Sequence, residues 1–224
     1  MPALFVTATG TDVGKTYVAC ALVRALKARS APVDVFKPVV SGFDPADAAG
    51  SDPARLAQAL GDPAALLRIA PRRYRAPLAP HIAARLEGQS LTLDDLVIDT
   101  VARTAQARED LLVVEGAGGV MSPLTDTATN LDMIAALGAP ALLVAGSYLG
   151  TMSHILTALA VLNAAETPVA AVVMSESLGA PDLAQTAEGL RPFLGGVPLF
   201  TAPRGDHWDA SALADEILNR MGRA

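Results

Sequence analysis

The sequence predicts an α/β fold, a parallel β-sheet covered by helices on both faces. Two observations carry that expectation. Short segments that are apolar at nearly every position recur along the chain, as strands buried on both sides require. Segments with apolar residues at helical spacing separate them, and such alternation is the pattern of a parallel sheet.

Leu4-Phe5-Val6 reads as the first strand and ends in a Gly/Thr-rich turn. Gly14 to Ala28 follows as a helix, with Val18, Leu22, Val23 and Leu26 on its apolar face. Val33 to Phe36, Leu111 to Val114, Ala141 to Val144 and Val169 to Val173 are further strands. Helices are expected at Pro53 to Leu60, Leu93 to Arg108, Leu131 to Leu137, Met152 to Ala164 and Asp182 to Leu190. A late strand near Val197 and an amphipathic helix from Ala210 to Met221 complete the pattern. Prolines at 71, 77 and 80 make the stretch from Pro71 to Pro80 a poor helix interior or central strand, so it reads as a loop.

Composition narrows the function classes. With 224 residues, 51% hydrophobic and 18% charged, the chain is expected to form one domain over 1–224, and a disordered protein is excluded. Net charge is −6, and no basic run exceeds Arg72-Arg73, so nucleic acid is not an expected partner. The single cysteine, Cys20, can form neither an internal disulfide nor a CxxC site, which points to the reducing cytoplasm. The start has no basic n-region, and no apolar stretch approaches the ~18 residues of a membrane span, so neither a signal peptide nor membrane attachment is expected.

Thr9-Gly10-Thr11-Asp12-Val13-Gly14-Lys15-Thr16 lies between the first strand and the first helix, where loop amides and a helix N-terminus converge on anions. Gly14-Lys15-Thr16 is the core of a phosphate-binding loop, in which the Lys reaches the β/γ-phosphates and the Thr hydroxyl ligates Mg²⁺. The usual GxxxxGK[ST] spacing would need glycine at position 9, where Thr9 stands. Lys37 leaves the second strand before Pro38, which keeps the segment extended toward the sheet's carboxyl end, where ligands bind in open α/β folds. Taken alone, Lys37 reads equally well as a solvated lysine. Ser41 and Gly42 share its loop. Glu115 ends a wholly apolar strand, where an unpaired buried carboxylate is expensive, and it matches the Walker B acid that holds Mg²⁺. Asp52 is either a second magnesium ligand or a helix N-cap, and its surroundings favour the cap. His81 and His154 read as structural histidines; nothing among the three His and one Cys suggests zinc, and no GxSxG elbow suggests acyl transfer.

Taken together, these segments resemble the dethiobiotin synthetases, ATP-dependent enzymes of biotin biosynthesis. The resemblance rests on Phe5-Val6-Thr7 through Thr16, Lys37-Pro38-Val39-Val40-Ser41-Gly42, Ser51-Asp52, Pro80-His81-Ile82, Val113 through Gly119, Leu149-Gly150-Thr151 with His154, and Gly195 through Pro198, in family order. It implies a P-loop NTPase-type fold and ring closure of 7,8-diaminononanoate with CO2, with ATP as co-substrate and Mg²⁺ as cofactor. The route it implies runs through a carbamate and a carbamic-phosphoric anhydride. Implied catalytic residues are Lys15, Lys37 and Thr11, and implied metal ligands are Thr16, Asp52 and Glu115. The implied nucleotide contacts are Asp12, Val13, Gly14, Lys15, Thr16, Tyr17, Asp52, Glu115, Gly116, Ala117, Gly118, Ser175, Glu176 and the stretch Pro198, Leu199 and Phe200. Ser41 would orient the carbamate with Thr11. A homodimer is implied, in which Gly150, Thr151 and Ser153 of one subunit hold the substrate tail for the other. Three positions depart from the family pattern: Ala8 replaces the first loop glycine, Ser153 an Asn, and Ser175 an Asn that reads adenine.

A rival class is the deviant-Walker nucleotide switch, of related fold. Its signature lysine position is Gly10 here, and Asp215 and Glu216 offset Arg220 and Arg223, so no basic membrane-binding tail is present. A cobyrinate-type amidotransferase would need a glutaminase domain for which the chain is too short.

Overall fold

The computed structural model describes residues 3–222. Met1 and Arg223, which entered the readings of the start and of the tail charge, lie outside the described residues. The main sheet has six parallel strands: β1 (Ala3–Ala8), β2 (Val33–Phe36), β5 (Leu111–Glu115), β6 (Ala141–Gly146), β7 (Val169–Ser175) and β8 (Leu199–Ala202). Their spatial order is β2-β5-β1-β6-β7-β8. A separate pair, β3 (Val39–Ser41) and β4 (Arg72–Tyr74), is also parallel.

Helices α1 (Lys15–Ala28), α2 (Asp52–Leu60), α3 (Leu66–Ile69) and α9 (Ser211–Arg220) contribute to the core on one face of the sheet. The other face is covered by α4 (Pro80–Leu86), α5 (Leu93–Ala107), α6 (Asn130–Leu137), α7 (Thr151–Ala164) and α8 (Leu183–Leu190). Strand residues alternate between the two cores. Leu4, Val6 and Ala8 of β1 pack on the α1 side, while Ala3 and Phe5 pack on the α7 side. Burying both faces explains why these strands are apolar at nearly every position and not at alternate ones.

Three expectations need correction. The 71–80 stretch is not all loop: Arg72–Tyr74 forms an edge strand, and Pro80 opens α4 at its first position, where a missing N–H costs nothing. The late strand begins at Leu199, two residues beyond Val197. Ala8 ends β1 with a negative φ, so no glycine is needed there. Among the described residues, no helix is long and apolar enough to cross a membrane.

Candidate functional site

Strand register builds the site. Phe36 of β2 pairs with Val114 of β5, and both side chains pack in the core on the α7 side. The next residue of each chain, Lys37 and Glu115, therefore points to the opposite side, toward the phosphate loop. Lys37 is 3% exposed and Glu115 wholly buried, and the Lys37 ammonium bonds a Glu115 Oε1 that also accepts from Thr16 Oγ1 at 2.7 Å. A second carboxylate, Asp52 Oδ2, lies 3.1 Å from Lys37 Nζ. Asp52 is not the helix cap: Ser51 caps α2, its hydroxyl accepting from the Ala54 amide, which frees the Asp52 carboxylate for the cleft.

Electrostatics in this cluster are set by burial against charge. Burial works to lower the Lys37 pKa, but Glu115 and Asp52 outweigh it and hold the ammonium above its ordinary value. The ion pair's contribution to stability is therefore fully present at neutral pH and is lost only as pH rises through that elevated pKa. Burial pushes Asp52 up, but the charge of Lys37 and hydrogen bonds from Lys37 and Thr16 bring it below the usual carboxylate value. For Lys15 burial wins, and its pKa is lowered despite the Glu115 charge.

The phosphate loop is fixed by its neighbours. Gly14, at φ 91°, is the N-cap of α1, and a Cβ there would strike the Ser175 hydroxyl at the end of β7. On the other side Gly119 packs against the backbone of Ala8, Thr9 and Gly10, leaving 3.0 Å to a Cβ. The turn holding Gly119 is anchored by Asn130, fully buried at the start of α6, whose amide donates to the carbonyls of Ala117 and Gly119 at 2.7 and 2.8 Å. Sequence reasoning missed Asn130. A polar residue opening an apolar helix was the available signal.

A cleft of about 370 Å³ opens over this cluster, lined by Thr11, Asp12, Gly14, Lys15, Thr16, Tyr17, Lys37, Val40, Ser41, Asp52, Arg55, Ala117 and Gly118. Thr11, Lys15, Lys37 and Ser41 thus share one cavity. Val13 packs in the core, Glu115 lies buried beneath Thr16 and Lys37, and the Gly116 amide donates to the Val6 carbonyl at 3.1 Å. Ser175 lies behind Gly14, and Glu176 accepts from the Arg204 amide at 2.8 Å. Pro198, Leu199 and Phe200 stand apart. They are at the amino end of β8, where Leu199 pairs with Val172; the residues that emerge beside Ser175 are Ala202 and its successors. Pro203 there accepts from the Tyr17 hydroxyl at 3.0 Å. Sequence reasoning also missed Arg55, which lines the cleft.

Gly150, Thr151 and Ser153 do not line this cleft. Gly150, at φ 98°, caps α7, Thr151 donates to the Gly146 carbonyl, and Ser153 faces solvent. His154 Nδ1 lies 2.8 Å from the Tyr148 hydroxyl.

Magnesium suits the donor set. Glu115 Oε2 is buried and has no partner, and a hard oxygen-seeking cation would complete it together with Asp52 and the Thr16 hydroxyl. Among the described residues no group of three His, Cys, Asp or Glu could hold a metal ion.

Known proteins resemble this chain over nearly its whole length. A family model described as an AAA domain matches residues 2–201. The chain is 76% identical over 218 residues to a protein of a Caulobacter species named ATP-dependent dethiobiotin synthetase BioD, covering 97% of this chain and 95% of that one. A Phenylobacterium zucineum protein of the same name is 51% identical over 227 residues, covering 98% and 97%. Among solved structures, a MinC:MinD cell division protein complex from Aquifex aeolicus aligns over 100% of this chain and 97% of that chain, with TM-score 0.58 at 11% identity. At that identity the likeness shows the P-loop NTPase fold alone.

Proposed function

The chain belongs to the ATP-dependent dethiobiotin synthetases, and from that membership we propose that its cleft closes the ureido ring of 7,8-diaminononanoate with CO2, in one catalytic domain over 1–224. As such it is an ATP-dependent ligase of biotin synthesis. One amine takes up CO2 as a carbamate. A carbamate oxygen attacks the γ-phosphorus of ATP, ADP leaves, and a carbamic-phosphoric anhydride results. The second amine then attacks the carbonyl carbon, closing the ring and expelling phosphate. Phosphorylation supplies the leaving group that a carbamate lacks.

The observation that carries this reading is the buried Lys37, held between Glu115 and Asp52 at the wall of a phosphate-loop cleft. There a cation is fixed in advance of the reaction, so charge spreading onto the transferring phosphoryl meets a donor that need not reorganise. Lys15 enters the same cleft from the loop and neutralises the β/γ-phosphates. Thr11 and Ser41, which both line the cleft, offer hydroxyls to the carbamate. Mg²⁺, held by Thr16, Asp52 and Glu115, would supply charge stabilisation on the phosphate oxygens. Gly150, Thr151 and Ser153, which lie outside their own subunit's cleft, fit a homodimer in which each serves its partner. The compartment this reading implies is the cytoplasm.

Phosphate release from Mg-ATP and bicarbonate, with and without the diamine, tests the proposal. Release that depends on the diamine supports it. Release indifferent to the diamine and responsive to lipid or DNA would instead indicate a nucleotide switch.

A further inference from the structure

Among the described residues six arginines pair with carboxylates: Arg29, Arg68, Arg72, Arg85, Arg103 and Arg220. Arg55 lines the phosphate-loop cleft, and among the described residues it makes no ion pair and no side-chain hydrogen bond. Its position is unfavourable for a purely structural cation. It is the fourth residue of α2, with its amide bonded to the Ser51 carbonyl, so its charge sits at the positive end of the helix dipole. The carboxylate that would suit it best, Asp52, lies three residues earlier on the same helical face and is committed to Lys37.

The cleft's charges show what is missing. Lys37 is paired with Glu115 and Asp52, while among the described residues Lys15 and Arg55 have no carboxylate within 4.0 Å. Two unpaired cations in one cavity call for an anion of more than one charge. Lys15 approaches from the loop side. Arg55 approaches from α2, one helical turn from a metal-binding carboxylate, so the oxygens it meets are those farthest from the loop.

We propose that Arg55 is a further phosphate-binding residue, which grips the terminal phosphoryl group of the bound triphosphate from the α2 side. A guanidinium suits this role because its planar fork can bind two oxygens of one phosphate. The assignment rests on the nucleotide reading of the cleft and adds to it a residue that distinguishes triphosphate from diphosphate.

Equilibrium affinities of the unmodified protein, Arg55→Ala and Arg55→Lys for ADP and for a non-hydrolysable ATP analogue, each with Mg²⁺, test it. Arg55 is exposed, so neither variant is expected to unfold. In Arg55→Ala, analogue affinity should fall about ten-fold, as loss of a charged hydrogen bond predicts, while ADP affinity stays within about two-fold. Arg55→Lys should recover part of the loss, because the charge remains without the fork. Unchanged affinity for both ligands would show a solvated side chain and overturn the proposal. Equal weakening of both would also overturn it, by moving the contact to the inner phosphates. If the unmodified protein bound neither ligand, the nucleotide reading would fall and this assignment with it.

Discussion

Among the described residues Lys37 is the only cation hydrogen-bonded to the wholly buried Glu115, and its replacement by alanine removes that partner. Breaking a buried pair by deleting one partner costs roughly 3 to 5 kcal/mol, because the remaining charge is stranded. The lower end applies here. Asp52 has 42% of its side chain exposed and can rehydrate, and the charge of Lys15 still reaches Glu115. About 3 kcal/mol corresponds to a drop of roughly 6 to 12 °C in Tm for a chain of this size. The stranded carboxylates are also those assigned to Mg²⁺, and a dication would relieve the repulsion that Lys37 no longer offsets. Lys37→Ala should therefore gain more Tm on addition of Mg²⁺ than the unmodified protein does. ATP should still bind, and ring closure should be abolished. Thermal unfolding with and without Mg²⁺, followed by phosphate release, checks all three points. An equal Mg²⁺ shift in both proteins would refute the metal assignment, and full turnover by Lys37→Ala would refute the catalytic one.

Glu115→Gln keeps the size and the Thr16 hydrogen bond but removes the charge that Lys37 and Mg²⁺ share; turnover should fall about 100-fold or more, with a weakened magnesium dependence. A lower Tm with unaltered magnesium dependence would make it a structural carboxylate. Ser175 offers a single hydroxyl beside Gly14, so appreciable turnover with CTP or GTP is expected, and Ser175→Asn should shift preference toward ATP by up to ~1 to 3 kcal/mol. Competition among triphosphates measures this, and strict ATP use by the unmodified protein would refute it. Cys20 is buried and its thiol is pushed up to about 12, first by burial and then by the Glu115 charge. Iodoacetamide at about pH 8 should label it only in denaturant; native labelling at the unfolded rate would contradict that burial.

Five of the six main-sheet strands were legible because burial on both faces leaves a nearly unbroken apolar run, as in Leu111 to Val114, whereas β8 starts two residues beyond the expected Val197. The β3/β4 pair was not. Each strand has three residues, too few for any period to show, and β4 finds its partner some thirty positions away. Pro80 was read as the end of a loop because the missing amide that excludes it from a helix interior suits it to a helix start. At the site, Lys15, Thr16 and Glu115 could be found from motif spacing, since loop and strand geometry fix their offsets. Which carboxylate Lys37 meets depends on the pairing of Phe36 with Val114, a tertiary fact. Register likewise places Pro203, and not Pro198, beside Tyr17 of the cleft wall. Arg55 looked like any charged residue on a helix exterior.

The position of β1 also affects how the protein is made. It precedes every other described strand in the chain, yet its neighbours in the sheet are β5 and β6. During synthesis this largely apolar segment emerges from the ribosome well over a hundred residues before both its edges can be paired. Until then it is a hydrophobic strand with unmet backbone groups, the kind of surface that chaperones bind and that aggregates at high expression. The phosphate loop hangs from the end of β1, so nascent chains should acquire nucleotide affinity only after residues up to 146 have cleared the exit tunnel.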